Sequence, residues 1–406
     1  MTEKEFAEKI FELGGVVYLV GGAVRDKFRG VKFHDKDYCI CGLTENIFAN
    51  SFSKAIKFGK SFPVYSVEID NKLCEVAFAR TEKKIGAGYR GFSVDFNPTV
   101  TIEEDLFRRD TTINAMAINI LTDELIDPFN GRADIINKKI RAVSKHFIED
   151  PVRALRAARQ SAQFNFEITP ETLQAMNLCA EELATEPGER IFTELENALK
   201  TDKPSIFFES LDNADLLKII FLEIYNLKGK TQPAAFHPEG DAFIHSMQIL
   251  DKVASVNKNP EVRFAALVHD IGKGATPLEM LPHHYMHEMR GLKVFEKMAI
   301  KIPLPNYWKK IAIFVIREHM RAPMLTKPGK IVELLMKLHH SKISVKDFND
   351  IIRADHGDLP PHLLHAQYFI DNLLKVSGND APPELIGKNI GNWIFQERIR
   401  KFLKCN

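Results

Sequence analysis

Three groups of residues are spaced for chemistry. The first is Gly21-Gly22-Ala23-Val24-Arg25-Asp26, followed by Asp35-Lys36-Asp37; the second is Asp150-Pro151-Val152-Arg153 with Arg156 and Arg159; the third is His245, His269-Asp270, His287, His319 and Asp355. A glycine pair between a strand and a helix lets backbone N–H groups approach a ligand with no Cβ in the way. The helix N-terminus adds partial positive charge, so phosphate is its natural guest. Residues i and i+2 of a strand face the same side, so Asp35 and Asp37 converge, and two hard oxygen ligands beside a phosphate cradle suit Mg²⁺. A lone Gly-Gly turn would be an ordinary strand-to-helix connection, and two lone acids at a strand end ordinary solvated charges. Together they favour a nucleoside-triphosphate site.

The elements that must hold this first group are legible around it. Val16 to Val20 is an apolar, β-branched run that stops at the glycines, Ala23 to Phe28 resumes as a helix start, and Tyr38 to Cys41 predicts a second strand. Phe6, Ile10 and Leu13 have helical spacing, and Leu43 to Phe58 predicts another helix. Phe62–Ile69 and Leu73–Ala79 predict a hairpin through Asp70-Asn71-Lys72. On its second strand Glu75 is either a third metal carboxylate or an exposed strand residue. Arg80 to Phe92 is basic, polar and glycine-rich, the composition of a mobile loop. Glu103 to Asn119 places Arg108, Arg109, Asp110 and Asn114 within two helical turns, with Asp110 and Asn114 on one face. An arginine fork suits triphosphate and an aspartate suits ribose hydroxyls, while a surface salt-bridge lattice uses the same residues.

In the second group Asp150 is placed to cap a helix with Pro151 at its first position, and Arg153, Arg156 and Arg159 step along one broad face whose mutual repulsion calls for an anion. Cytosine and adenine both present an amino donor beside a ring-nitrogen acceptor; uracil and guanine present a carbonyl beside an N–H. An accepting Asp150 and a donating Arg153, one turn apart, fit the first pair and leave groups unpaired with the second. Plain capping by Asp150 is the competing assignment. From Lys203 onward the pattern is almost wholly helical, and imidazoles and carboxylates drawn from separate helices make a mixed donor set for Mn²⁺, Ni²⁺, Fe²⁺ or Zn²⁺.

Composition bounds the rest. With 406 residues, 45% hydrophobic, the chain predicts two to four domains with sizeable cores. A net charge of +1 means that any nucleic acid is met by a local basic surface. Five cysteines without a C-x-x-C pair argue against a disulfide framework or a structural zinc and for a reducing compartment. The acidic start and the lack of an eighteen-residue apolar run predict a cytoplasmic chain with no membrane segment.

The Gly21–Asp26 and Asp35–Asp37 motifs resemble those of the nucleotidyltransferase superfamily, specifically the bacterial class II CCA-adding enzymes, or tRNA nucleotidyltransferases. The resemblance continues through Arg108-Arg109-Asp110 with Asn114-Ala115-Met116, Glu149-Asp150 with Arg153, and Glu189-Arg190, and so covers most of the chain. It implies an α+β fold: a polymerase-β-like mixed α/β head on 1–137, a helical neck on 138–200, a linker or body on 201–235, an HD phosphohydrolase domain on 236–340 and a helical tail on 341–406. It implies Asp35 and Asp37 as Mg²⁺-binding catalytic residues, with Gly22, Arg25, Arg109, Asp110, Asp150, Arg153, Arg156 and Arg159 binding nucleotide. The Glu189–Arg190 segment braces the template helix, and the Arg80–Phe92 loop helps switch nucleotide. In the HD domain His245, His269, Asp270 and Asp355 are the implied ligands of a transition metal such as Ni²⁺ or Mn²⁺, with His287 and His319 offered to a second metal or to phosphate. The implied activity is addition of CCA to tRNA from CTP and ATP, with HD-domain phosphatase, 2′-nucleotidase and 2′,3′-cyclic phosphodiesterase activities. Its rivals are enzymes adding only CC, only A or poly(A), and an HD phosphohydrolase whose head only binds RNA. The basic tail around Arg398, Arg400, Lys401 and Lys404 is either an RNA contact or a solvated helix end.

Overall fold

Strand β1 (Val16–Val20) lies inside a seven-stranded sheet. A computed structural model describes residues 1–32, 35–58, 62–86 and 91–405, and its backbone divides into two compact units, 1–194 with 206–220 and 195–205 with 221–406.

In the first unit the other strands are β2 (Asp37–Cys41), β3 (Ile56–Lys57), β4 (Val64–Ile69) and β5 (Lys72–Phe78), a separate ribbon of β6 (Thr81–Lys84) and β7 (Phe92–Asp95), then β8 (Ala117–Asn119) and β9 (Leu125–Ile126). The sheet order is β3-β4-β5-β2-β1-β8-β9, antiparallel throughout except for the parallel pair β2–β5. Alternation explains its two faces. Val20, Cys39, Ala79 and Ala117 pack with Ile102 and Leu106 of the Ile102–Phe107 helix, while Tyr38, Tyr65 and Phe78 join Phe6, Phe48 and Phe52 in an aromatic cluster on the Glu3–Glu12 and Glu45–Ser51 helices. Asp70 and Asn71, both at positive φ, close the β4–β5 hairpin as expected.

Several local expectations are corrected. Only Glu45–Ser51 of the 43–58 helix forms, because Ile56 and Lys57 pair along β4 and extend the sheet. The 80–92 stretch is half ribbon, Thr81–Lys84 pairing with Phe92–Asp95; its residues 87–90 lie outside the described ones. The helix expected to run through Arg109 and Asp110 stops at Phe107. Asp110 and Asn114 are therefore not on one helical face, although a short 3-10 turn, Thr112–Asn114, still lets Asn114 Nδ2 donate to Asp110 Oδ1 at 3.1 Å. Strand β2 begins at Asp37, so Asp35 precedes the strand rather than sharing its face by pleat. The neck is helical apart from a two-residue parallel pair, Lys139–Ile140 with Glu167–Ile168.

The second unit is helical. Ala242–Val256, Pro260–Val268, Asn306–Glu318, Pro328–His340 and Val345–His356 share a core of Ile249, Val253, Val262, Val315, Leu334, Leu338, Phe348 and Ile352. Gly272 decides how the His287–Lys301 helix joins them: a Cβ there would stand 1.9 Å from the His287 carbonyl and 2.8 Å from Gly291 Cα. Only glycine permits that approach, which brings His287 to Asp270. Among the described residues no helix is long and apolar enough to cross a membrane.

Candidate functional site

The head carries a cleft of about 790 Å³ whose walls include Gly21, Gly22, Arg25, Asp37, Glu75, Arg109, Asp110, Asp150, Arg153, Arg156 and Arg159. Of the ten transferase-site residues singled out from sequence in head and neck, all but Asp35 line it. Gly21 takes φ +68 ahead of the Gly22–Arg29 helix, and a Cβ there would crowd the Arg109 guanidinium at 3.3 Å and face the Asp37 carboxylate at 3.8 Å. The glycine turn, the carboxylate and the arginine therefore face one space. Arg25 is steered by Asp26 and by Asn114, whose Oδ1 accepts from it at 2.7 Å; Arg109 is steered by Asp105 at 2.9 Å.

Glu75, left open from sequence, is placed by the sheet. Parallel pairing sets Glu75 beside Asp37. Burial raises the Asp37 pKa, and the charges of Glu75 and Asp35 raise it further against the pull of Arg109. A carboxylate whose ionisation its neighbours disfavour is one that a divalent cation relieves.

The arginines of the neck have a different environment from the one expected. Their repulsion is met inside the protein: Arg156 Nε donates to Asp110 Oδ2 at 2.7 Å, Arg159 Nε donates to Glu194 at 2.6 Å, and Arg153 donates to the His146 carbonyl with Glu82 3.9 Å away. No bound anion is required to hold them. Asp110 also accepts from Gln160 Nε2 at 2.9 Å and from Thr111 N at 2.7 Å, which ties the head to the Val152–Phe164 helix. Burial opposes the ionised form of Asp110, but Arg156 and the hydrogen bonds outweigh it and hold its carboxyl well below the usual carboxylate range. Such a group stabilises the fold above its ordinary pKa and loses that contribution as pH falls toward the depressed value. Asp110→Asn should therefore lower stability by about 2 kcal/mol, because either amide orientation sets an NH₂ against donors. The cost stays below that of a sealed pair, since the Arg156 side chain keeps 41% exposure and can turn to water. Urea denaturation at pH 7 reads the loss, and the gap from wild type should narrow in acid.

Asp150, expected at the cap, lies one residue before it: Pro151 takes the cap and the helix begins at Val152, whose N–H donates to Asp150 Oδ1 at 3.2 Å. Arg190 grips both Asp150 oxygens at 3.0 Å and also bonds Glu186. One nitrogen, Nη2, makes both contacts while Nη1 meets Glu186, so the guanidinium meets the Asp150 carboxylate end-on one turn before Arg153. Glu82 and Glu194 escaped the sequence reading, since nothing in their local spacing names their partners.

The helical unit holds the histidine group. His245 Nε2 is 3.0 Å from Asp355 Oδ1 and 3.7 Å from Asp270 Oδ2; His269 Nε2 is 3.3 Å from Asp270 Oδ2 and 3.8 Å from Asp355 Oδ1. His287 and His319 bring their Nε2 atoms within 3.0 and 3.3 Å of Asp270 Oδ1. All six residues thus converge, and in each of the four histidines Nδ1 faces an acceptor: Glu239 for His245, and the carbonyls of Ala266, His284 and Val315 for the others. That arrangement leaves every Nε2 turned inward as a ligand atom. His269 Nε2 and Asp270 Oδ1 are buried and make no directed hydrogen bond, and triplets of these ligand atoms lie within 4.8 Å of one another. Burial opposes a charged His269, yet Asp270 and Asp355 push its pKa up to about 10. The donor set fits a divalent transition metal. Sequence reasoning missed Glu239, which accepts from both His245 and His237, and Lys273, whose ammonium meets Asp270 and Gln232.

Three family models match parts of the chain. Residues 17–141 match the poly A polymerase head domain family, 165–227 the probable RNA and SrmB-binding site of polymerase A, and 242–351 the HD domain. The chain is 38% identical to the multifunctional CCA protein of Acinetobacter baumannii over 94% of its own length and 96% of that protein's, and 41% identical to that of Vibrio parahaemolyticus over 84% and 85%. A solved CCA-adding enzyme in an apo form superposes with a TM-score of 0.69 at 20% identity, covering 98% of this chain and 93% of that one.

Proposed function

The chain belongs to the family of multifunctional CCA proteins, and from that membership we propose that it adds CCA to the 3′ end of tRNA from CTP and ATP, in the cytoplasm, and carries a second, phosphohydrolytic centre in its HD domain. The observation that carries the first activity is the head cleft, where a phosphate cradle, facing carboxylates and an Asp150–Arg153 pair share one space. The glycine turn and Arg25 receive the triphosphate, and Arg109 stands over the carboxylates to hold phosphate oxygens. Asp150 and Arg153 read the pairing edge of C or A, and Arg190 anchors the Asp150 carboxylate. The 3′-hydroxyl of the RNA then attacks the α-phosphate in line and pyrophosphate leaves. Asp35, Asp37 and Glu75 would hold Mg²⁺, which when bound supplies charge neutralisation at the attacking and leaving oxygens.

In the HD domain His245, His269, Asp270 and Asp355, with His287 and His319 alongside, would hold Ni²⁺, Mn²⁺ or a similar ion, which when bound supplies an acidified water and a clamp for phosphate. Glu239 orients His245, and Lys273 places its charge on the Asp270 side of the cluster.

The test is to supply tRNA transcripts ending at the discriminator base, at C and at CC with CTP, ATP and Mg²⁺, and to sequence the products. CCA on all three is the expected result; arrest at CC, or growth only from CC, would identify a partial enzyme, and homopolymeric A a poly(A) polymerase. Chelation followed by readdition of Ni²⁺ or Mn²⁺ should abolish and restore hydrolysis of 2′,3′-cyclic nucleotides. His269→Ala should remove that hydrolysis and leave CCA addition intact.

A further inference from the structure

The HD centre has a rim that its ligands do not explain. The His237 ring meets that of His245 in a T-shaped contact, 4.7 Å between centroids, and the residue before it, Phe236, is 82% exposed. In a second segment Tyr285, 66% exposed, and Met286, 65% exposed, stand between His284 and the cluster's His287. Tyr285 is not a stray ring: it stacks on His283 with centroids 5.5 Å apart and planes 19° from parallel. The two segments are tied together. His284 Nε2 donates to the Thr231 carbonyl at 3.0 Å, Lys230 Nζ donates to the Thr276 carbonyl at 2.7 Å while Thr276 bonds His284 at 2.8 Å, and Gln232 holds the same Lys273 that meets Asp270. The two segments that carry the exposed rings are therefore tied to each other and to the metal-binding cluster.

Exposed aromatic faces beside a centre suited to phosphate esters match one kind of guest. In a nucleotide a flat base lies one ribose away from the phosphate, and base–aromatic stacking is a strong, sequence-tolerant contact. We propose, on the assumption that the HD centre is a phosphohydrolase, that Phe236 and Tyr285 form a stacking rim selecting esters whose phosphate is carried on a nucleoside. The rim accepts all four bases, because stacking uses the face every base shares, in contrast to the edge-reading Asp150–Arg153 pair of the head. Tyr285 is the pre-stacked face, with His283 behind it; Phe236 is the second, and Met286 supplies adaptable apolar cover.

The experiment uses the full chain loaded with Ni²⁺ and compares Phe236→Ala, Tyr285→Ala and the double variant with wild type. Substrates are the four nucleoside 2′,3′-cyclic phosphates and base-free ribose 2′,3′-cyclic phosphate. The wild type should favour all four nucleotides over the base-free ester. Each alanine should raise KM for the nucleotides about 5- to 100-fold with kcat little changed, the span expected for losing one stacked base, and leave the base-free ester unaffected. Phe236→Trp should retain nucleotide KM, which loss of mere loop structure would not allow. A second readout needs no metal: fluorescence quenching of 1,N⁶-ethenoadenosine 2′-phosphate on the apo chain should weaken in both alanine variants. Equal use of nucleotides and base-free ester by the wild type, or variants that alter every substrate alike, would overturn the stacking rim while leaving the phosphohydrolase standing. If the wild type hydrolyses none of the five substrates, the phosphohydrolase assignment itself fails and the rim with it.

Discussion

Asp37→Ala should lower CCA addition by at least about 1000-fold without unfolding the head. The size follows from what the carboxylate does: electrostatic stabilisation of a transferring phosphoryl group contributes several kcal/mol, and each 1.4 kcal/mol is a factor of ten. The fold should survive because Asp37 is not part of what holds it together. Its carboxyl sits next to Glu75 across a parallel pair, and its pKa is raised from the ordinary value by burial first and by Glu75 and Asp35 second. A group raised in this way stabilises the folded state at pH below its ordinary pKa and gives that contribution up as pH rises. At neutral pH, without metal, ionised Asp37 is therefore a liability. Asp37→Asn should melt slightly higher than wild type in EDTA, and the advantage should vanish when Mg²⁺ is added, since the cation relieves the wild type alone. Incorporation of CMP by single-turnover assay and thermal unfolding with and without Mg²⁺ check both halves. A variant that keeps a tenth of wild-type activity, or one that melts lower in EDTA, would contradict the assignment.

The same pair shows where sequence stops being informative. Gly21 and Gly22 were legible because a β-branched run ending in two glycines has few other uses, and Asp35-Lys36-Asp37 announced itself by position. Glu75 was not, since its partnership with Asp37 depends on a parallel pairing between strands separated by a helix and a hairpin, which spacing along the chain does not encode. The arginines at 153, 156 and 159 were seen as a face in search of an anion; the structure supplies anions from Asp110 and Glu194, one upstream and one downstream, so charge pattern named the need and not the partner. The helix expected through Asp110 failed for a related reason: the pattern continued past Phe107, but Asp110 and Thr111 are drawn to Gln160 and Arg156, and the tertiary bonds prevail over local propensity. The HD cluster was the most legible part. Histidines and aspartates on separate apolar helices have few structural uses together, and all six foreseen residues converge, while Glu239 and Lys273, which orient them, carry no signal beyond ordinary surface charge.

Base choice offers the second large effect. Asp150→Ala should cut incorporation of both C and A by roughly 100- to 10,000-fold and bring UTP and GTP to within about tenfold of them, because a site built to pair with a polar edge rejects the wrong edge by the groups it leaves unpaired. The geometry makes the carboxylate an acceptor of fixed direction. Arg190 binds both oxygens at 3.0 Å, the Val152 N–H takes a further lone pair at 3.2 Å, and the remaining acceptor capacity is turned to the cleft that Arg153 also lines. Arg153 cannot swing away to compensate, since it donates to the His146 carbonyl and is almost wholly buried. Two further variants separate reading from scaffolding. Asp150→Asn can still accept from the Val152 N–H through its amide oxygen but presents an amide with both a donor and an acceptor, so it should fold normally and still lose discrimination. Arg190→Lys should keep the charge and lose the arrangement in which one guanidinium nitrogen meets Asp150 and the other Glu186, giving a smaller loss near tenfold in which C and A suffer together. Single-nucleotide incorporation with each of the four triphosphates measures all three. If Asp150→Asn folds and still prefers C and A by the wild-type margin, the edge is read elsewhere and Asp150 only anchors the start of the helix. If discrimination collapses while pyrophosphate release on CTP persists at a reduced rate, the carboxylates at Asp37 and Glu75 act independently of the reader, as their separate supports in the sheet and in the neck helix require.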